Sequence, residues 1–210
     1  LGFPGQIWGM RPVLKIGPLT QLQDARSAAA VGFDLISFSL ARGDARKLPV
    51  SLAWNMAQWL SGPEIVLELN AASLPEWAEA QQQIPGCRAL MPLAEAEPAL
   101  AAGLPGLILQ ASGPVSAADA ARWQQAGAWV EIPVAAAAEA AAYASVRDRL
   151  ILHWASLDEA ARFVAESPWQ PAAHAFSQAA EESPGQLDYA RLDSWLEGFF
   201  SRFPQSAPDA

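Results

Sequence analysis

The stretch that decides the reading is Val13–Ala25, "VLKIGPLTQLQDA". The run from Val13 to Ile16 has strand character, Gly17-Pro18 breaks it, and an amphipathic segment starts near Gln21. An apolar run that stops at Gly-Pro and passes into helix is a strand-to-helix hand-over. Lys15 interrupts the apolar run, and interior charges are rare unless paired. It is therefore read either as a cation at the end of a sheet or as the partner of an interior carboxylate such as Glu68.

Outward from this junction the same unit recurs. Strands are expected at Val13–Gly17, Asp34–Leu40, Glu64–Leu69, Arg88–Met91, Gly106–Gln110, Trp129–Ile132, Arg149–His153 and Ala173–Ser177. Helices are expected near Gln21–Ala30, Ser51–Leu60, Leu74–Gln83, Ala94–Ala102, Ala117–Ala126, Val134–Ser145, Leu157–Ala165 and Tyr189–Arg202. Thr20, Ser116 and Ser156 stand at N-cap positions, with Glu159 at capping-box spacing from Ser156. This alternation is the signature of a parallel sheet covered by helices. Closing it gives a compact α/β (β/α)₈ TIM barrel, a single domain over residues 1–210, near the lower limit of about 200 residues for that fold. A doubly wound open sheet uses the same alternation, but no G-x-G-x-x-G or G-x-x-x-x-G-K accompanies the first strand.

Composition narrows the function. Hydrophobic residues make up 52% of the 210 and charged ones 17%, as in a packed globular domain. The formal net charge of −9, with 13 scattered basic residues, argues against nucleic acid as a partner. No apolar stretch reaches the roughly 18 residues of a membrane span, and the start lacks the pattern of a secretory leader. The single Cys87 permits neither an internal disulfide nor a Cys-based metal cage, which fits a cytoplasmic location.

The order of motifs resembles the phosphoribosylanthranilate isomerase family. That family opens with Lys-Ile-Cys-Gly-Ile/Leu-Thr and a Leu-x-Asp-Ala helix, matched here by "KIGPLT" and "QLQDA", Lys15 to Ala25. Its Gly-Phe segment and loop ending in Ser-x-Arg are matched by "VGFDLISFSLARGDAR", which puts Arg46 on the loop arginine. Its Ser-Ser-Gly-Val-Glu-x-x-Pro-Gly-x-Lys-Asp is matched by "SQAAEESPGQLD", aligning Ser177, Glu181, Pro184, Gly185 and Asp188. The resemblance implies a TIM barrel and an Amadori rearrangement in tryptophan biosynthesis, an aldose–ketose isomerisation with no cofactor or metal. That chemistry needs an acid at the ring oxygen and a base at C2.

The resemblance also implies what this chain has changed. The family's base, the Cys of its first strand, falls on Gly17, and Cys87 precedes strand four at the other end of the barrel. The family's acid falls on Glu131, the catalytic candidate. The glycine-rich turns after strands six, seven and eight read "VAAAAEAAAYA", "HWA" and "QAAE", and glycines let backbone N–H groups close on a phosphate. The expectation is a divergent isomerase-like barrel whose original activity is lost or strongly reduced. Two alternatives are a repurposed binder or enzyme for a small phosphate- or carboxylate-bearing ligand, and a non-catalytic interaction protein with an Ala- and Trp-rich oligomer face.

The ligand-binding candidates are Lys15, Arg46, His153, Ser177, Gln178 and Ala179. Some have a plainer reading: Lys15 as the partner of an interior carboxylate such as Glu68, Arg46 as an exposed loop charge, His153 as a hydrogen-bonded packing histidine; the catalytic candidate Glu131 is likewise read as a residual carboxylate in an ion pair. Glu68, Glu131 and His153 follow no metal-ligand spacing, so no metal is expected. His174 is out of phase with Ala175 and Ser177 and should face a helix. Trp54, Trp59, Trp123 and Trp195 are expected in helix packing, and Trp8 beneath the barrel.

Overall fold

In the computed structural model, residues 11–97, 103–104, 106–177, 180–183 and 186–204 are described. Eight parallel strands close into a barrel in chain order. They are β1 (Val13–Ile16), β2 (Leu35–Ser39), β3 (Glu64–Glu68), β4 (Arg88–Pro92), β5 (Ile108–Gln110), β6 (Trp129–Val134), β7 (Leu150–Trp154) and β8 (Ala173–Phe176). The ring is closed by β1 on β8, with Lys15 opposite Ala175 and Ile16 opposite Phe176. Outside it lie α1 (Leu22–Val31), α2 (Val50–Ala57), α3 (Leu74–Gln83), α4 (Ala117–Gln125), α5 (Ala137–Ala140), α6 (Leu157–Glu166) and α7 (Tyr189–Arg202). A two-stranded hairpin, β9 (Glu181–Ser183) and β10 (Gln186–Leu187), stands between β8 and α7. No helix among the described residues is long and apolar enough to cross a membrane.

Period-two alternation sorts every strand into an outer and an inner set. The outer residues, such as Leu14, Ile16, Ile36, Phe38, Leu67, Val130 and Leu152, join the helices in one large core. The inner residues Val13, Leu35, Val66, Leu90, Ile108, Ile151, Ala173 and Ala175 form a second core, with Trp129 against it. This apolar plug fills the lower barrel. Two residues further along the strands the character switches, to Lys15, Ser37, Glu68, Gln110, Glu131, His153 and Ser177. β4 supplies Pro92 at this level and Ser177 follows the end of β8; the other six strands place a polar side chain there. The carboxyl-terminal mouth is thus polar and rests on an apolar floor.

Several local expectations change. Thr20 does not cap α1, whose N-cap is Gln21 without a side-chain bond. Ser116 and Ser156 do cap, accepting from the Asp119 and Asp158 amides. Glu159 forms no capping box; its carboxylate reaches instead to the Ala137 amide at 2.8 Å. The segment expected as one helix over Val134–Ser145 is the four-residue α5 followed by a 3-10 stretch, Ala141–Arg149, kinked at Val146. The helix expected at Ala94–Ala102 falls partly outside the described residues, which show a 3-10 turn at Leu93–Glu95. Trp8, Gln178 and Ala179 also lie outside them. Trp195 is buried, but Trp59 is 68% exposed and Trp54 is 37% exposed. The buried side of α2 is Val50, Ala53 and Met56, and Trp54 follows Ala53 on the flank that turns outward.

His174 belongs to the outer core, as its phase requires. It is fully buried, accepts from Trp154 Nε1 at 2.9 Å through Nδ1, and lies 3.2 Å from Gln170 Oε1 through Nε2. Rings of Phe163, Trp195 and Phe199 surround it. Burial pushes its pKa down to about 3, so it stays neutral.

Candidate functional site

The first strand ends at Gly17 with φ +131°, and the Gly17–Pro18 peptide is cis. Here the neighbouring strands take up the backbone donors. Gly17 N donates to Phe176 O at 3.1 Å and Leu19 N to Ser37 O at 2.9 Å. A Cβ on residue 17 would collide with Ser37 Oγ and lie 2.7 Å from Ser37 O. The second of these is main chain and cannot rotate aside. Both the space and the backbone angle at this position admit glycine and oppose any side chain.

Below that end sits Lys15, 1% exposed, with its ammonium 3.1 Å from Glu131 Oε2 and 3.8 Å from Glu68 Oε1. Burial alone would lower the lysine pKa, but the two carboxylates outweigh it and raise it above the ordinary value. Lys15 is therefore a fixed cation with no free lone pair for carbonyl chemistry. Glu131, 0% exposed, is also opposed by burial, yet Lys15 and the hydrogen bonds from His153 and Gln110 hold it far below the usual carboxylate range. Gln110 Nε2 donates to its Oε1 at 2.8 Å. An ionised carboxyl accepts hydrogen bonds and has no proton to give. For Glu68 the balance tips the other way: burial raises its pKa, despite Lys15 and the 2.7 Å hydrogen bond donated by Ser37 Oγ.

Glu131 continues toward solvent through two more residues. His153 Nδ1 lies 3.0 Å from Glu131 Oε1, and His153 Nε2 lies 2.8 Å from Ser177 Oγ. His153 and Ser177 are only partly buried, so the chain runs from sealed interior to accessible rim. Gly17, Glu131 and His153 share the carboxyl-terminal side of the barrel, where enzymes of this fold place their chemistry.

Around this centre, groups suited to bind an anion already hold carboxylates of the chain itself. Arg46, in the loop after β2, makes a two-point pair with Glu181 of the hairpin, Nη1–Oε1 2.8 Å and Nη2–Oε2 3.0 Å. After β6, the Ala135 amide donates to Glu139 Oε2 at 2.9 Å and the Ala137 amide to Glu159 Oε2 at 2.8 Å. After β7, the Ala155 amide is bound to Val134 O at 3.1 Å. Lys47, next to Arg46, points elsewhere and lies 3.5 Å from Glu76.

Of the residues singled out in the sequence, the structure gathers Lys15, Glu131, His153 and Ser177 into one connected chain and sets Arg46 at the rim. Glu68, expected as a partner of Lys15, and Glu181, aligned with the family's C-terminal motif, join them, and Ser37 and Gln110 complete the arrangement. The period-two positions were the signal for Ser37 and Gln110; the pairing of Glu181 with a residue 135 positions away gave none.

No protein-family model matches the sequence, and no curated protein shows significant similarity to it. Solved structures share its architecture. Phosphoribosyl anthranilate isomerase from Thermus thermophilus matches with a TM-score of 0.67 at 19% identity, over 90% of this chain and 97% of that one. TrpF from Jonesia denitrificans gives 0.72 at 17% identity, over 91% and 98%. A phosphoribosyl anthranilate isomerase in complex with reduced 1-(o-carboxyphenylamino)-1-deoxyribulose 5-phosphate gives 0.71 at 16%, over 90% and 99%. At such identities the likeness is one of fold, the (β/α)₈ barrel.

Proposed function

We propose that this chain is a divergent phosphoribosylanthranilate isomerase-like barrel whose original Amadori isomerase activity is lost or strongly reduced. The observation that carries this reading is Gly17. By the resemblance it stands where the family keeps its base, and Ser37 fills the space a side chain there would need. Two further observations support it. Glu131, at the position of the family's acid, is held ionised by Lys15 and so lacks the proton that ring opening requires. The amides after β6 and the Arg46 guanidinium, matched to the family's phosphate and carboxylate sides, carry Glu139, Glu159 and Glu181. The test is steady-state turnover of phosphoribosylanthranilate beside the Thermus thermophilus enzyme. Loss of a general base alone forfeits roughly 10²–10⁴-fold, so turnover at least ~10²-fold lower is expected, and turnover within tenfold overturns the reading.

A second reading, a binder of small phosphate- or carboxylate-bearing molecules, is favoured by the polar level above the apolar floor and by Arg46, whose side chain is 20% exposed. On this reading a ligand displaces Glu181. Glu181→Gln should then enlarge the thermal shift given by benzoate or phosphate, and Arg46→Ala should abolish it while Lys47→Ala leaves it. A panel of such anions that shifts neither the wild type nor Glu181→Gln would exclude it.

A further inference from the structure

We propose that Glu131, His153 and Ser177 form an acid–base–nucleophile triad, and that Ser177 is an activated hydroxyl able to take an acyl group from small esters. This goes beyond the isomerase reading and does not depend on it. Hydrolytic triads are recognised by geometry and roles rather than by fold or chain order: hydroxyl to imidazole Nε2, imidazole Nδ1 to a buried carboxylate. The contacts here are 2.8 Å for the first and 3.0 Å for the second.

The protonation pattern follows from the neighbours. Lys15 and Gln110 keep Glu131 an acceptor, so when the imidazole is neutral its one proton sits on Nδ1, facing Glu131. That leaves the Nε2 lone pair toward Ser177, whose O–H donates to it. Gln110 holds one carboxylate oxygen and Lys15 the other, and the carboxylate in turn orients the ring. A histidine packed for structure alone would not need its outer nitrogen aligned on a hydroxyl at the accessible rim.

The step balances with water as the sole co-reactant. Ser177 Oγ bonds to the ester carbonyl carbon while its proton passes to His153 Nε2. The tetrahedral adduct collapses, the C–O bond to the leaving group breaks, and that alkoxide or phenolate takes the proton from His153. Water then attacks the acyl-serine, gives a proton to His153, and collapse returns that proton to Ser177 Oγ and frees the carboxylic acid. In this scheme Ser177 and His153 are catalytic and Glu131 is a positioning residue.

The experiment uses the full chain with p-nitrophenyl acetate and with an alkyl fluorophosphonate, mapping the adduct by peptide mass spectrometry. The expected result is one adduct on Ser177, absent in Ser177→Ala, with the labelling rate reduced roughly 10²–10⁴-fold in His153→Asn. Circular dichroism establishes that both variants fold. For Glu131 the readout is the ¹⁵N spectrum of His153: Nδ1–H in the wild type, mixed tautomers and slower labelling in Glu131→Ala. An unlabelled Ser177, labelling that persists at the wild-type rate in His153→Asn, or a wild-type His153 protonated on Nε2 alone overturns the proposal.

Discussion

Lys15→Met isolates the electrostatics of the barrel mouth. In the native protein one buried ammonium, 1% exposed, faces two carboxyl groups at 3.1 and 3.8 Å. Methionine keeps the length and removes the charge, leaving buried Glu131 without its counter-charge. Breaking a buried pair by removing one partner costs about 3–5 kcal/mol, which for a chain of this size lowers Tm by roughly 6–20 °C. The loss should depend on pH, and the sign is fixed. Without Lys15, the folded-state pKa of Glu131 rises above its unfolded value, so the variant is most stable at acid pH and weakens as pH rises through the new pKa. The native Glu131 behaves in the opposite way: its depressed pKa contributes stability above the unfolded value of 4.5, and this is lost on acidification. Urea unfolding of both proteins from pH 4.5 to 8.5 checks this. The gap should be widest at the alkaline end and narrow by ~1 kcal/mol or more per pH unit once Glu131 takes up a proton. A deficit under about 1 kcal/mol, or one that is flat with pH, refutes the reasoning.

Two further outcomes are expected. Gly17→Cys should not restore isomerase turnover and should cost on the order of 2–6 kcal/mol, from the contacts with Ser37 and the positive φ together; urea melts and the isomerase assay read both, and an unperturbed melt with rising turnover would show the junction can be refilled. His174, with a folded pKa of about 3 against an ordinary 6.5, contributes stability that is present above pH 6.5 and lost below it. Between pH 6.5 and 4.5 that loss should reach about 2 kcal/mol, and His174→Gln should remove most of that slope; an unchanged slope assigns the acid sensitivity to other groups.

Much of this architecture was legible because barrel strands carry their pattern locally. Lys15 stood out as a charge inside "VLKI", the resemblance marked Glu131 in "WVEIPV", and the Gly-Pro after Ile16 marked the end of the strand; the alternation in "LISFS" also turns Ser37 inward, a position that was not singled out. The phase of His174 likewise turned it toward the helices, where aromatic rings surround it. Long-range choices were not legible. Nothing near Arg46 announces Glu181, and a glutamate three residues beyond a capping serine reads as a capping box until the fold brings the Ala137 amide closer. Tryptophan on α2 misled for a related reason: which flank is buried depends on where the helix lies against the barrel, and Ala53 and Met56, not Trp54, meet the core.

Beside the missing side chain at Gly17, the chemistry of the barrel mouth depends on the charge state of one carboxyl group, that of Glu131. If Glu131 is ionised, it cannot supply the proton of an Amadori rearrangement, it fixes the tautomer that aligns His153 on Ser177, and it makes Lys15 indispensable. The direct measurement is the ¹³C shift of the Glu131 carboxyl followed by NMR from pH 8 to the acid limit of folding. The expected shift stays at the carboxylate value down through the ordinary glutamate range near pH 4.5. A carboxyl that takes up its proton at or above that pH would contradict it.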